Sequence, residues 1–263
     1  MISLIIPTYR NAEYLDICLQ SAIEQQSNKN EIIVAIDGFI EESQEVLDKY
    51  KDNISVLNLE ENQGMQQALN LAVINATNEI IFVVNDDNVF CHEWDIEVTK
   101  SLKPKSVLTL NQIEPTGPGI FKFPVKDFGL NPSEFRYKEF INYQQSIKKD
   151  ELTTDGGIFP FAMYKKYYMA VGGFDTMYQS PFICDWDFFL KLELIGLGFV
   201  RTHNAHLYHF GSTATKNGKE GQKFKSSEGP AAEMFMYKWG MNPQLLENNS
   251  HCPKGSYIRG IRF

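Results

Sequence analysis

Short apolar runs and helical apolar stripes take turns along the first third of the chain. Ile2–Ile6 is an apolar run too short for a helix and closed by Pro7, which predicts a strand. Leu15, Cys18, Leu19, Ala22 and Ile23 then recur at helical spacing and predict an amphipathic helix over Ala12–Gln26. The alternation repeats, with a strand over Glu31–Ile36, a helix marked by Val46, Leu47 and Tyr50, and a strand over Ile54–Leu59. Met65, Ala68, Leu69, Ala72 and Val73 line one face of the next helix. Ile80–Val84 is wholly apolar and rich in β-branched residues, the pattern of a strand buried on both faces inside a parallel sheet. Strands and helices joined this closely require right-handed crossovers and helices on both faces of a mostly parallel sheet. The fold class is α/β.

Beyond Asp87 the regularity weakens. A helix is expected over His92–Leu102 and a strand over Val107–Asn111, followed by a Pro- and Gly-rich loop region over Glu114–Leu130. Pro132–Lys149 carries Phe135, Phe140, Tyr143 and Ile147 near helical spacing. Helices are expected over Tyr164–Val171 and Phe188–Ile195, and short strands over Phe199–Thr202 and Ala205–His209. Past Gly211 the sequence turns polar and rich in Gly, Ser and Lys, and is expected to be flexible as far as Gly229, ahead of a last helix over Ala231–Trp239. This divides the chain into a regular half over 1–112, a less regular half of the same domain over 113–212, and a terminal segment over 213–263.

Composition narrows the class. The chain has 263 residues, 43% apolar and 22% charged, with a mean hydropathy of −0.29, as in soluble globular proteins. A net charge of −8 argues against a nucleic-acid partner, because phosphate backbones demand a basic surface. Residues 214–263 nevertheless hold eight Lys and Arg against four Asp and Glu, a balance that admits peripheral contact with a membrane surface or an anionic substrate. Cys18, Cys91, Cys184 and Cys252 are widely spaced, which favours reduced thiols over a disulfide framework or a zinc site. Met1–Pro7 has no basic leader, and no stretch approaches the roughly 20 apolar residues of a transmembrane helix, so a cytoplasmic setting is expected.

The candidate chemistry collects where predicted strands end. In a parallel α/β sheet the strand ends at Pro7-Thr8, Asp37 and Asp86-Asp87 lie on one edge, where such sheets hold ligands. Two adjacent carboxylates repel each other and call for a cation or a set of hydrogen-bond donors. Asp and Asn also favour plain turns, and a buried core strand has no need of either at its end.

These stretches, in their order, resemble a family 2 glycosyltransferase of the GT-A fold. The resemblance covers about Ile2–Gly211 and rests on Pro7-Thr8-Tyr9-Arg10-Asn11, Asp37-Gly38, Asn62-Gln63-Gly64 and Asp86-Asp87-Asn88, then Gly172-Gly173-Phe174-Asp175 and Asp185-Trp186-Asp187, with His209 ahead of Gly211-Ser212. It implies a nucleotide-diphosphate sugar as donor, a saccharide or lipid-linked acceptor, and Mn²⁺ or Mg²⁺ as cofactor. It further implies inversion at the anomeric carbon and a role in surface-polysaccharide assembly. By the same resemblance Asp87 and His209 are the metal ligands, with His206 and His203 as competitors for the imidazole position. Asp86 is placed on the ribose or a metal-bound water. Pro7, Thr8, Tyr9, Arg10, Asp37, Asn62 and Gly64 would form the nucleotide site, with a uracil or thymine base favoured.

Asp185 is the expected catalytic base, taking the proton of the acceptor hydroxyl, and its competing role is to cap the helix that follows. Asp187, two positions on, would lie roughly 200° around that helix, so only one of the two can face the sugar. Gly156, Gly157, Phe174 and Trp186 are expected to shape the sugar and acceptor pocket. The sequence departs from the family pattern at Ile36, Leu69 and Cys184. The second departure leaves a basic contact to be supplied from elsewhere, with Lys216, Lys219 and Lys223 as candidates. Two rivals remain. One is a nucleotide- or glycan-binding module without catalysis. The other is a sugar-phosphate nucleotidyltransferase, which needs a Gly-rich basic loop that Pro7–Asn11 does not provide.

Overall fold

A computed structural model of the chain describes residues 1–116, 123–211 and 218–243. Among them one mixed sheet of nine strands runs through the molecule in the order β3-β2-β1-β4-β8-β6-β9-β5, with β7 on β9. The first four strands, β1 (Ile2–Thr8), β2 (Glu31–Asp37), β3 (Ser55–Leu59) and β4 (Ile80–Val83), pair in parallel. Helices α1 (Ala12–Gln25), α2 (Gln44–Tyr50) and α3 (Met65–Asn75) connect them. β1 is buried along its whole length, and the alternation of its side chains sends Leu4 and Ile6 to one core and Ile5 to the other. That two-sided burial is why the strand carries no polar stripe.

Beyond β4 come β5 (Asn88–Val89), α4 (Trp94–Ser101), β6 (Ser106–Ile113), α5 (Tyr137–Ile147) and β7 (Leu152–Thr153). They are followed by β8 (Phe161–Tyr164), α6 (Lys165–Ala170), α7 (Cys184–Leu194), β9 (Gly198–His209) and α8 (Gly218–Trp239). β8 inserts antiparallel between β4 and β6, and β6 runs parallel to β9. The antiparallel insertion differs from the sequence expectation. Its four residues, Phe-Ala-Met-Tyr, give neither a long run nor an alternation to read.

Two further differences concern the last elements. The expected strands Phe199–Thr202 and Ala205–His209 are one continuous strand, β9, whose register against β6 jumps from Leu110↔Thr202 to Asn111↔His206. The polar pair His203-Asn204 that looked like a break lies, with Ala205, in a bulge that the strand carries while pairing on both sides of it. The last helix begins at Gly218 rather than Ala231 and contains Pro230. Gly, Ser and an internal Pro argue against a helix locally, but Ala231 and Phe235 are buried in the core below it and hold its second half in place.

Candidate functional site

The carboxyl ends of β1, β2, β4 and β6 meet the end of β9 at one edge of the sheet. Asp86 and Asp87 follow β4 and are 9% and 2% exposed. Asp86 is held from β1 and the loop after it. The Thr8 hydroxyl donates to its Oδ2 at 2.6 Å and the Asn11 amide to its Oδ1 at 2.9 Å. Burial, and then the charge of Asp87 beside it, push the Asp86 carboxyl up to about 7. Asn11 belongs to the quoted Pro7–Asn11 stretch but was not expected as a partner of Asp86. An amide three residues past a buried strand leaves little sign of what it will touch.

His209, the last residue of β9, is brought to Asp87 by backbone pairing. Asn88 is its antiparallel partner across β5 and β9, and the Phe210 N–H donates to the Asp87 carbonyl at 3.3 Å. His209 Nε2 lies 3.4 Å from Asp87 Oδ1. The other ring nitrogen, Nδ1, is 3.0 Å from Glu114 Oε1. Glu114 was missed, although the rule that selected Asp37 and Asp86, an acid just past the end of a buried strand, applies to it after β6. A carboxylate on Nδ1 favours the tautomer protonated there, which turns the Nε2 lone pair toward Asp87. A lone pair and a carboxylate oxygen at that spacing are brought together by a positive charge, either a proton or a cation. The donor set of one imidazole and hard carboxylate oxygens suits Mn²⁺ or Mg²⁺. This donor chemistry would suit a divalent cation, with Asp87 and His209 as the side chains that would hold it and Glu114 behind the ring, although no three or more His, Cys, Asp or Glu side chains among the described residues are grouped so as to hold a metal by themselves.

Neither competing histidine is seen in contact with Asp87. His203 lies against the Asn111 amide and the Thr153 hydroxyl, at 3.1 and 3.0 Å. His206 is 2% exposed, and burial lowers its pKa to about 3, so it stays neutral.

Asp37 ends β2, and both its oxygens accept backbone N–H groups at the start of α3. Gln63 donates at 2.7 Å, and Gly64 reaches each oxygen at 3.1 Å. Burial raises its pKa against these two bonds. The expected base-binding Asp thus also holds the loop that leads into α3, whose N-cap residue is Gly64. Asn62 is exposed beside it, and Gly64 takes φ +94°, which a side chain would resist. Pro7 is buried within β1. Tyr9 meets Phe39 edge-on at 5.9 Å and Phe224 of α8 at 6.4 Å. Arg10 covers the Phe39 ring at 4.7 Å and pairs with Glu42 at 2.8 Å. Of the substitute basic residues, Lys223 is exposed on α8, whereas Lys216 and the Lys219 side chain lie outside the described residues.

α7 starts one residue earlier than Asp185, so Asp185, Trp186 and Asp187 sit inside its first turn. The capping position is Ile183, and Asp185 instead accepts the N–H of the next residue, Trp186, at 3.0 Å. Asp185 is partly exposed, and burial pushes its carboxyl up to about 6. The segment before it is tied to the nucleotide-facing edge, since Gln66 of α3 donates to the Ser180 carbonyl at 2.5 Å. Asp187 is 0% exposed and turned into the protein, where Trp239 Nε1 donates to it at 2.7 Å. Of the two acids, Asp185 is the one left at the surface.

Three of the expected pocket residues have structural roles. The Phe174 ring is 1% exposed and stacks on Phe188 at 4.4 Å, so it belongs to the core rather than to a pocket wall. A Cβ on Gly156 would lie 2.3 Å from the Val200 carbonyl oxygen, and one on Gly157, at φ +94°, would lie 2.9 Å from the Phe199 ring. Both glycines let the loop lie directly on β9. Trp186 is partly buried and packs against the same core as Phe174. Asn70 supplies a contact the sequence did not announce. Its side chain clasps Phe174 through both N–H and C=O, each at 2.8 Å.

Comparison with known proteins gives the family and the fold. Residues 3–172 match the family described as Glycosyl transferase family 2. An uncharacterized glycosyltransferase of Haemophilus influenzae is 26% identical over 73% of this chain and 62% of its own length, so the chain spans less than two thirds of that relative. Residues 1–349 of Staphylococcus aureus TarS, solved with UDP-GlcNAc, superpose with a TM-score of 0.57 at 16% identity, over 93% of this chain and 74% of that one. The mannosyltransferase PcManGT of Pyrobaculum calidifontis, solved with GDP-Man and Mn²⁺, superposes with a TM-score of 0.60 at 16% identity, over 95% and 68%. At these identities the two structures establish the shared GT-A fold.

Proposed function

We propose that the chain, a member of glycosyl transferase family 2, is a metal-dependent glycosyltransferase that inverts the configuration of the sugar it moves. The donor is a nucleotide-diphosphate sugar, with UDP favoured. The acceptor is a hydroxyl of a saccharide or a lipid-linked carrier, in surface-polysaccharide assembly. The observation that carries this reading is the Asp87–His209–Glu114 arrangement, in which an imidazole fixed from behind by one carboxylate faces another at 3.4 Å. A cation bound by Asp87 and His209 supplies positive charge for the diphosphate as it leaves, without proton transfer.

The chain's own residues do the rest. Thr8 and Asn11 hold Asp86 at the strand end, where it serves the ribose or the water around the cation. Asp37 stiffens the loop at Gln63-Gly64 that borders the nucleotide, and Tyr9 with Phe39 gives the base an aromatic neighbour. Asp185 takes the proton of the acceptor hydroxyl at its carboxylate as the new bond forms. A carboxyl raised to about 6 by burial is a stronger base than an ordinary one and is still ionised at neutral pH.

Thermal-shift measurement with UDP and GDP, each with and without Mn²⁺, tests the donor and the metal together. A ligand that binds only the folded chain raises its melting temperature. The expected result is a UDP-dependent rise that disappears on chelation. A rise that ignores chelation would remove the metal from the reading, and a larger rise with GDP would replace the favoured base.

A further inference from the structure

The first turn of α7 contains a carboxylate that the proposed chemistry does not use. Asp187 is 0% exposed, two residues after Asp185 on the same turn. Its Oδ1 accepts from the Trp239 indole N–H and lies by Lys238 Nζ, both at 2.7 Å, with the Tyr178 hydroxyl at 3.3 Å. Lys191, one turn further along α7, stands 3.7 Å from Oδ2. Lys238 also donates to Asp175 Oδ2 at 2.7 Å, and its charge helps hold the Asp175 carboxyl below the usual range despite burial. The donors therefore come from the last turn of α8 and from the turn before α7, and they converge on one side of one helix.

The start of α7 is poorly fixed by its own sequence. Ile183 is a β-branched residue at φ +70° with no side-chain cap, a conformation that must be imposed by surrounding structure. A buried ion pair is also a weak device for stability, since apolar packing would do as well. What the Asp187 cluster provides is direction. A charged carboxylate with an indole and an ammonium aimed at it admits a single rotational setting of the helix. Successive residues are about 100° apart around a helix, so that setting also decides where Asp185 points.

We propose that Lys238 and Trp239 are positioning residues for glycosyl transfer, acting through Asp187 to aim Asp185 at the acceptor hydroxyl. On this view the last turn of α8 is part of the catalytic apparatus although it touches neither substrate. The proposal rests on the reading of Asp185 as the base. It predicts a specific kinetic pattern, because the α8 residues near the expected donor site, Lys223 and Phe224, lie in the first half of that helix, about four turns from Lys238 and Trp239. Turnover falls while nucleotide binding stays as it was.

The test uses the full chain with Mn²⁺ and a panel of UDP- and GDP-sugars, reading nucleotide release well below the melting temperature. Trp239→Phe and Lys238→Met are expected to lower kcat at least tenfold with donor KM within twofold of the parent. Their UDP-induced thermal shift should be unchanged, and Lys238→Arg should recover most of the turnover. Folded Trp239→Phe with an unchanged kcat overturns the proposal, as does a loss that appears only in donor KM. If Lys238→Met does not fold, Trp239→Phe and Lys238→Arg decide alone. Failure of the underlying reading looks different. Asp185→Asn as active as the parent removes the base, and a parent chain that releases nucleotide from no donor removes the transfer reaction. Either result takes the positioning role with it.

Discussion

Glu114 is the residue that gives His209 a preferred side. With Nδ1 turned to Glu114 at 3.0 Å, the ring offers Nε2 to Asp87. Loss of a carboxylate behind a metal-bound imidazole costs roughly 10- to 100-fold in metal affinity. Glu114→Gln is therefore expected to weaken Mn²⁺ binding by about that factor, and His209→Ala by more, in a calorimetric titration with Mn²⁺. Asp185 makes a second prediction at this scale. Its carboxyl is raised from 3.8 to about 6 by burial, so the folded chain keeps that proton to a higher pH than the unfolded chain. Stability is consequently lost as pH rises from about 4 to about 6 and stays lost above that, by on the order of 1–3 kcal/mol for a partly exposed group. Asp185→Asn should recover this at pH 8 as a higher melting temperature while abolishing transfer. The parent's kcat/KM should climb with pH through about 6 as the base ionises.

Among the elements, the alternation of apolar runs and stripes was enough to read β1 to β4 and the helices between them, because β1, β2 and β4 are buried on both faces and each helix on one, while β3, exposed along most of its length at the sheet edge, still carries the apolar Val56, Leu57 and Leu59. The acids at the strand ends were legible for the same reason, since nothing in a buried strand explains them. Reading failed where tertiary contacts overrule local preference. Gly229 and Pro230 lie inside α8, whose second half is held by burial of Ala231 and Phe235. Phe174 looked like a pocket aromatic because its ring gives no hint in sequence that Phe188 will cover it. Gly156 was expected to shape the sugar and acceptor pocket, but its backbone lies in contact with β9. Gly156→Ala would bring a methyl to 2.3 Å from the Val200 oxygen. It should destabilise the chain by about 2 kcal/mol or more, measurable as a lower urea midpoint at unchanged slope.

Across the whole molecule the sheet is continuous from β3 to β5, so the halves over 1–112 and 113–212 share one set of backbone ladders and two cores that flank it. Such a sheet is expected to melt as one cooperative unit, and calorimetry should give a single transition with matching calorimetric and van't Hoff enthalpies. Two separated transitions would show that the halves fold apart. No helix among the described residues is long and apolar enough to cross a membrane.

The bulge in β9 has a consequence for how this site tolerates insertions. Because β9 pairs with β6 on both sides of residues 203–205, added length there can be absorbed without disturbing the strand's first half. The half beyond the bulge stays anchored by its own pairs, Asn111 with His206 on one side and Asn88 with His209 on the other, so loop length and site geometry are uncoupled.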